Sequence, residues 1–457
     1  MKGYNKWSYA PYKPLINDGN NIYINRVVPS KNSIHFEWLK IDGEKSVFYK
    51  KRDDVDWILY QKTFDNECDI LDLETNIDYD FKVTTDTETS PIRIARTGNA
   101  VGTVVNYLHP DDMVYAFSGR YLCSPSFVRH PDGYLLSSMD VFACHYPQNL
   151  TLIFRSDDEG KTWHYVSELM PCFWAKLFIH KNELYAMACS TEYGDLLIGK
   201  STDGGKTWGE PTTLLRGSNG KAGNDGVHKN PQPPLVYKGR LYQTLEWGSW
   251  DNKDYCHAAV IASIDENADL LVAENWNFTP PKEFDPNEVS HLNLPKCSMT
   301  IEGTLVVAPD GKLLNVLRFA GDGHAICYEI DTLNPDAPLK YYGLINFPAH
   351  LSKFTIKYDE KSKYYYSVAT KIHDKNYPTA RNLLSLLKSK NLVDWQTVKD
   401  VYDYTDCDPK YTGFQYVDYE FNGDDIIFVC RTALNNPNDY HNSNYQTFDV
   451  IKDFRNL

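Results

Sequence analysis

Short apolar runs separated by turn residues recur along this chain of 457 residues. Between Leu15 and Thr97, alternating runs such as Ser33 to Trp38 and Ser46 to Tyr49 are spaced about ten residues apart, as in a β-sandwich. Alternation with a period of two predicts half-buried strands, and no helical heptad pattern competes with it. The 33 Tyr, 20 Phe and 10 Trp favour strands as well. We therefore expect an all-β protein.

One pattern, S-x-D-x-G-x-T-W, occurs twice, at Ser156 to Trp163 and at Ser201 to Trp208. Each copy follows an apolar run, supplies the Asp and Gly of a tight turn and places a Trp at the start of the next strand. Hairpins that repeat at such a period are typical of β-propeller blades. The motif resembles the Asp-box of the sialidase superfamily, which marks the architecture rather than the chemistry.

The repeated strand pairs predict the domain organisation. Pairs near residues 126, 177, 235, 304, 354 and 414 indicate a six-bladed, sialidase-like propeller over residues 99–457, with five blades as the runner-up. Residues 14–98 are expected to form a small β-sandwich. Its stretch from Leu73 to Tyr79 resembles the tyrosine corner of fibronectin type III domains, and Trp38 would be its core Trp. Residues 1–13 are expected to be a loose lead-in.

Composition narrows the possible partners. The formal net charge of -14 disfavours nucleic acid and gives no support to a membrane-surface role. The N-terminus has no apolar segment of the secretory kind, which predicts a cytoplasmic protein. None of the ten Cys forms a CxxC pair, so they are expected to be small buried hydrophobes, and neither a metal site nor a cofactor is predicted.

A carboxylate and an arginine flank one predicted hairpin. Glu302 precedes Arg318 by sixteen residues, with Pro309, Asp310 and Gly311 forming the turn between them. Both side chains should lie at corresponding ends of adjacent strands. The stretch resembles the sialidase segment that carries the catalytic Glu and one Arg of the clamp that holds the substrate carboxylate. This resemblance implies that Glu302 is a general base and Arg318 an anion holder.

The first predicted inner strand departs from the family pattern. Cys123 occupies the position at which the resemblance places the first clamp Arg. Asp140, at the end of the following strand, is then the nearest candidate acid or base. Arg120 is a further candidate for substrate binding. The segment from His350 to Lys353 falls where the third clamp Arg is expected, so this Arg is missing as well.

Other candidates come from loops and strand ends at the predicted mouth. The polar, glycine-rich stretch from Ser218 to Pro231 exposes His228 as a possible ligand or base, and Glu246 follows on the next strand. Trp174 precedes a strand and could stack on a sugar. In the last blade the resemblance implies a late Tyr nucleophile, for which Tyr416 is the candidate. Further candidate residues for substrate binding include Arg431.

These residues predict an enzyme that acts on an oligosaccharide. The first hypothesis is an exo-acting glycoside hydrolase that removes a terminal sugar, with Glu302 and either Asp140 or Glu246 flanking the glycosidic bond. The second is a lyase for uronic acid oligosaccharides that uses His228, Tyr416 and Arg318. The third is a carbohydrate-binding propeller without catalytic activity.

Overall fold

The computed structural model describes residues 5–8, 22–219, 223–251, 257–292, 294, 300–320 and 323–457. Strands dominate these residues, and the helical elements include two short 3-10 helices, Ala273–Asn275 and Pro286–Leu292. The predicted all-β fold is confirmed. Within the described ranges, no helix has the length and apolar character needed to cross a membrane.

Two facing sheets form the N-terminal sandwich. One sheet has the order β1-β2-β5 and the other the order β4-β3-β6-β7. The strands are β1 (Ile24–Pro29), β2 (Ile34–Trp38), β3 (Lys45–Lys51), β4 (Ile58–Thr63), β5 (Glu67–Ile70), β6 (Asp78–Thr84) and β7 (Arg93–Arg96).

Alternating side chains of these strands fill the core of the sandwich. Trp38 is buried there, and the ring of Phe36 lies 4.6 Å from that of Phe81. The hydroxyl of Tyr79 accepts a hydrogen bond of 3.0 Å from the backbone N–H of Glu74. This contact ties the start of β6 to the preceding turn.

A ring of strands follows the sandwich and forms a β-propeller. Among the described residues it comprises six sheets. In five of them the strands follow one another in chain order from the inside outwards, and in the sixth the first propeller strand lies at the outer edge, after the last three. The strands are β8 (Thr103–Tyr107), β9 (Tyr121–Arg129), β10 (Leu135–Phe142), β11 (Leu150–Ser156), β12 (His164–Leu169), β13 (Phe173–His180), β14 (Glu183–Cys189), β15 (Leu196–Ser201), β16 (Thr212–Leu215), β17 (Gly226–His228), β18 (Leu235–Tyr237), β19 (Arg240–Gly248), β20 (His257–Asp265), β21 (Asn277–Phe278), β22 (Thr300–Val307), β23 (Leu313–Phe319), β24 (His324–Ile330), β25 (Lys340–Asn346), β26 (Lys357–Asp359), β27 (Tyr364–Thr370), β28 (Leu383–Ser389), β29 (Trp395–Asp403), β30 (Gly413–Asn422), β31 (Asp425–Ala433) and β32 (Tyr445–Ile451).

The propeller is closed by pairing between its first and last strands in the sequence. Strand β8 pairs with β32, so the sheet β30-β31-β32-β8 contains the first propeller strand and the last three. Phe448 on β32 packs against Trp163, which follows β11 in the neighbouring sheet. A Cβ atom on Gly160 would lie 2.1 Å from the ring of Phe448, and Gly160 has a φ of +84°. Only glycine fits this junction without strain.

The two S-x-D-x-G-x-T-W motifs form matching turns between the third and fourth strands of their sheets. Asp158 accepts hydrogen bonds from the backbone N–H and the hydroxyl of Thr162, at 2.9 and 2.7 Å. Asp203 and Thr207 repeat these two contacts at 2.8 and 2.6 Å. Each motif Trp is buried and donates its indole N–H to the motif Gly. The motifs therefore stabilise outer turns.

Residues 5–8 are packed rather than loose, in contrast to the expectation for the lead-in. Trp7 is fully buried and donates its indole N–H to the carbonyl of Pro171 over 2.9 Å. Its ring meets Trp208 edge to face and leaves no room for a side chain at Gly199. The remainder of the expected lead-in lies outside the described residues, as do Cys256 and Cys297. Of the described cysteines, Cys144 and Cys407 are exposed, contrary to expectation.

Glu37 joins the sandwich to the propeller. Its carboxylate accepts a hydrogen bond of 2.5 Å from Arg26 and lies 3.1 Å from Nδ1 of His164 on β12. Burial alone would raise the pKa of Glu37, but the hydrogen bond to His35 and the charges of Arg26 and His164 lower it to about 2. Glu37 is therefore ionised within the junction.

Candidate active site

Four inner strands of the propeller contain a β-bulge near the end at which they begin. In each case the pairing register between the inner strand and the strand that follows it in the chain shifts at the bulge. The bulges begin at Cys123, Trp174, Glu302 and Tyr416. The last three residues have positive φ angles of 55°, 59° and 58°. Such backbone strain redirects a side chain and is concentrated at functional sites. These bulges mark one mouth of the propeller as the candidate site.

Glu302 is enclosed at this mouth by two of the predicted site residues. Nη1 of Arg318 donates to Oε2 over 2.8 Å, and the hydroxyl of Tyr416 donates to Oε1. Burial alone would raise the pKa of Glu302, but the charge of Arg318 and the hydrogen bonds from Tyr416 and Arg318 lower it. Glu302 is therefore ionised at neutral pH and can accept the phenolic proton.

Arg318 reaches Glu302 because of the hairpin geometry that the sequence predicted. Ile301 pairs with Arg318 across β22 and β23, and the bulge at Glu302 follows directly. Nε of Arg318 is buried without a hydrogen-bond partner in the described part of the chain. The guanidinium thus has donor capacity left for an anion.

Arg431 lies on the other side of Tyr416. Its guanidinium carbon is 5.1 Å from the centre of the Tyr416 ring. Its Nη1 is 3.4 Å from Sγ of Cys123, and its Nη2 donates to the carbonyl of His441. Burial and the charge of Glu302 raise the pKa of Tyr416 well above its ordinary value, although Arg318 and Arg431 act in the opposite direction. Tyr416 is therefore protonated and needs a base to react.

Arg381 belongs to the same group, and the sequence analysis missed it. It is almost completely buried just before β28, and its Nη2 donates to the carbonyl of Leu351 over 2.5 Å. Burial, followed by the positive charge of Arg318, lowers the pKa of Arg381 to about 10. Tyr416 and Glu302 act in the opposite direction. Arg381 follows no motif, and its only signal in the sequence is its place just before an apolar strand.

A second cluster adjoins Glu302. Nδ1 of His228 is 2.7 Å from Oε2 of Glu246, and the ring of Trp174 lies 4.4 Å from that of His228. Oε1 of Glu246 accepts a hydrogen bond of 3.2 Å from the backbone N–H of Gly303, the second bulge residue. The structure thus brings together His228, Glu246 and Trp174, although His228 is buried rather than exposed. Residues 220–222 of the predicted loop lie outside the described residues.

Asp140, the candidate acid or base of the second strand, is enclosed by hydrogen-bond donors of the protein. Its carboxylate is fully buried and accepts a hydrogen bond of 2.5 Å from Thr151. It also accepts hydrogen bonds of 2.9 and 3.4 Å from the backbone N–H groups of Trp174 and Ala175. Burial raises the pKa of Asp140 to about 7 against the effect of these hydrogen bonds. The geometry makes Asp140 a support for the Trp174 bulge.

Arg120, the other candidate for substrate binding next to Cys123, contacts the loop before β9. It precedes β9, where Nη2 donates to the carbonyl of Pro110 over 2.5 Å and lies near Asp111. Asp111 is bound in turn by Arg52 of the sandwich. Arg120 therefore links a loop to the domain junction and is not part of the cluster around Tyr416.

Comparison with known proteins identifies similar folds. No protein-family model and no curated protein sequence matches the chain. The structure of a leech intramolecular trans-sialidase, in complex with 2,7-anhydro-Neu5Ac, has a TM-score of 0.50 at 10% identity and covers 98% of this chain and 96% of its own. A Penicillium chrysogenum α-L-arabinanase with arabinobiose has a TM-score of 0.49 at 16% identity and covers 79% and 100%. A PL25 ulvan lyase has a TM-score of 0.44 at 9% identity and covers 95% and 94%. The first of these supports the propeller fold; at such low identity it shows the fold alone.

Proposed function

We propose that this protein is an exo-acting glycoside hydrolase that removes a terminal sugar bearing a carboxylate from oligosaccharides. The observation that carries the proposal is the hydrogen bond from Tyr416 to the ionised Glu302, with Arg318 in contact with the carboxylate and Arg431 beside the Tyr416 ring. The exo mode follows the sialidase resemblance, and the leech trans-sialidase has the same fold.

In the proposed reaction Tyr416 is the nucleophile. Its oxygen attacks the anomeric carbon while its proton passes to Glu302, and the bond from this carbon to the leaving oxygen breaks. A general acid gives the leaving oxygen a proton as that bond breaks. Water then attacks the anomeric carbon and gives one proton back to this acid, the bond to Tyr416 breaks, and Glu302 returns its proton to the phenolate. The sum is hydrolysis with retention of configuration, because the substituent on the anomeric carbon is replaced twice and each replacement inverts the configuration.

The arginines account for an acidic substrate. The sialidase resemblance places clamp arginines at Cys123 and within 350–353, where this chain has none. Arg431 extends to Cys123, and Arg381 extends to the carbonyl of Leu351. Guanidinium groups from other strands thus reach both positions. Together with Arg318 they would bind a carboxylate through charge-assisted hydrogen bonds.

The test is a panel of oligosaccharides that end in sialic acid, a hexuronic acid or a neutral sugar, incubated with the wild type, Glu302→Gln and Tyr416→Phe. We expect cleavage of an acidic substrate with the gain of one water, and its loss in both variants. Tyr358→Phe, a change at an exposed Tyr of β26, serves as the matched control. Cleavage confined to neutral sugars, or full activity of Glu302→Gln, would refute the proposal.

A uronate lyase is the second candidate, because the paired His228 adjoins a site that contains Tyr416 and three arginines. In a lyase, a base removes the proton next to the carboxylate, and the Arg side chains stabilise the resulting anion. The products would carry a conjugated double bond that absorbs in the near ultraviolet, whereas hydrolysis products would not. Binding of glycans without turnover would instead support the carbohydrate-binding hypothesis.

A further inference from the structure

His228, Glu246 and Gly303 form a chain of hydrogen bonds across two blades. His228 is on β17 and Glu246 on β19, and the two residues are directly paired. Glu246 is fully buried and uses one oxygen for Nδ1 of His228 and the other for the N–H of Gly303. Gly303 is the residue after Glu302. One carboxylate therefore fixes both the imidazole and the bulge that presents Glu302.

This arrangement defines which atom of His228 is available for chemistry. The carboxylate of Glu246 accepts at both oxygens, so Nδ1 of His228 carries the hydrogen that lies between them. Nε2 forms no hydrogen bond to the described residues. Because Glu246 also accepts the N–H of Gly303, the imidazole lies beside the bulge that presents Glu302 to Tyr416. Trp174 covers one side of the ring.

We propose that Nε2 of His228 is the proton donor to the leaving oxygen and that Glu246 is its positioning residue. This inference rests on the proposed hydrolase function. Asp140, the carboxylate considered for this role, is enclosed by Thr151 and the amides of the next blade. Glu302 is already engaged with Tyr416 and Arg318. His228 differs from both, since a buried carboxylate fixes its ring through Nδ1 and leaves Nε2 as the nitrogen that can exchange a proton.

The proton balance follows from this assignment. In the first step the hydrogen on Nε2 passes to the leaving oxygen as its bond to the anomeric carbon breaks, which leaves His228 neutral. In the second step Nε2 accepts a proton from the attacking water, and the imidazolium is restored. Glu302 and Tyr416 exchange their own proton separately, so each turnover consumes one water and releases the sugar and an alcohol.

The experiment compares two leaving groups on the same acidic sugar. A 4-nitrophenolate leaves without protonation, whereas the alcohol of an oligosaccharide needs a proton donor. For His228→Gln we expect kcat/KM on the oligosaccharide to fall by about 100-fold or more, and on the 4-nitrophenyl glycoside by less than about 10-fold. His130→Gln changes a histidine on an outer turn, stacked on Tyr134, and should alter neither value.

Glu246→Gln provides a second variant in case His228→Gln does not fold, as judged by circular dichroism. We expect the same preference for the activated substrate with a smaller loss. Equal losses on both substrates would overturn the role of His228 while leaving the hydrolase intact. Wild-type products with near-ultraviolet absorbance, or no turnover by the wild type, would overturn the proposed function itself and with it this assignment.

Discussion

The hydroxyl of Tyr416 donates a hydrogen bond to Oε1 of Glu302, although the two residues are 114 positions apart in the chain. Tyr416 lies on β30 and Glu302 on β22, which belong to different sheets separated by the sheet of β26 to β29. Side chains of such sheets meet near the axis of a propeller, where all inner strands converge. The pair therefore lies at the mouth of the central channel, which makes this mouth the candidate site.

Tyr416→Phe removes the proposed nucleophile and keeps the ring against Arg431. We expect kcat to fall by at least about 1,000-fold, because neither the covalent step nor its activation by Glu302 remains. Substrate binding, measured by calorimetry with the intact oligosaccharide, should persist since the arginines are unchanged. A variant that retains more than a tenth of wild-type turnover would exclude Tyr416 as the nucleophile.

Arg381→Met and Arg431→Met test the carboxylate clamp. Each removes a charge-assisted contact of about 1.5–3 kcal/mol, so we expect KM for the acidic substrate to rise roughly 10- to 100-fold. The methyl ester of the same sugar lacks the charge and should bind the variants and the wild type about equally. Arg120→Met is the control, since Arg120 contacts Pro110 and Asp111 instead. An equal loss on acid and ester would argue against the clamp.

Asp140→Ala should destabilise the protein. It leaves the N–H groups of Trp174 and Ala175 without their acceptor in a buried position, which we expect to cost about 2–4 kcal/mol of the free energy of unfolding. Asp140→Asn keeps one acceptor oxygen and should lose less. Urea denaturation measures both values. If Asp140→Asn is as stable as the wild type but has no activity, Asp140 takes a direct part in the chemistry after all.

The ionised Glu37 at the junction between the two domains predicts that the free energy of unfolding falls at low pH. The pKa of Glu37 is about 2 in the folded protein and near 4.5 when unfolded, so the unfolded state binds the extra proton between these values. The stabilisation, about 3 kcal/mol, is complete above pH 4.5 and is lost as the pH falls towards 2. Glu37→Gln should therefore be less stable than the wild type at pH 6, and the difference should shrink below pH 4. A difference that is independent of pH would contradict this account.

The sequence predicted those parts of the site that depend on short-range geometry. Glu302 and Arg318 flank one hairpin, so the pairing of adjacent strands brings them together. The contact between Tyr416 and Glu302 depends on how all the sheets of the propeller are arranged, so no local pattern predicts it. Among the 33 Tyr, only the family resemblance points to Tyr416. Arg381 lies in the irregular segment before β28, and no periodic sequence pattern predicts the conformation of such a segment.

Asp140 shows a different limit of sequence reasoning. A carboxylate near the end of a strand next to an inner strand has the same local pattern whether it faces a substrate or a neighbouring backbone. In the folded protein Asp140 accepts hydrogen bonds from the bulge of the next blade, and Glu246 does the same for Gly303. This repetition between blades becomes visible only when the registers of the strands are known.

The pairing of β8 with β32 also sets an order of events during synthesis. The ribosome makes β8 before every other propeller strand and β32 after them, so the sheet that closes the ring cannot assemble until β32 has emerged. Until then β8 and the apolar face of β9 lack their partners, and contacts so distant in sequence form slowly. The candidate site, which needs Tyr416 from the last sheet, is consequently completed only after the strands of that sheet have been made.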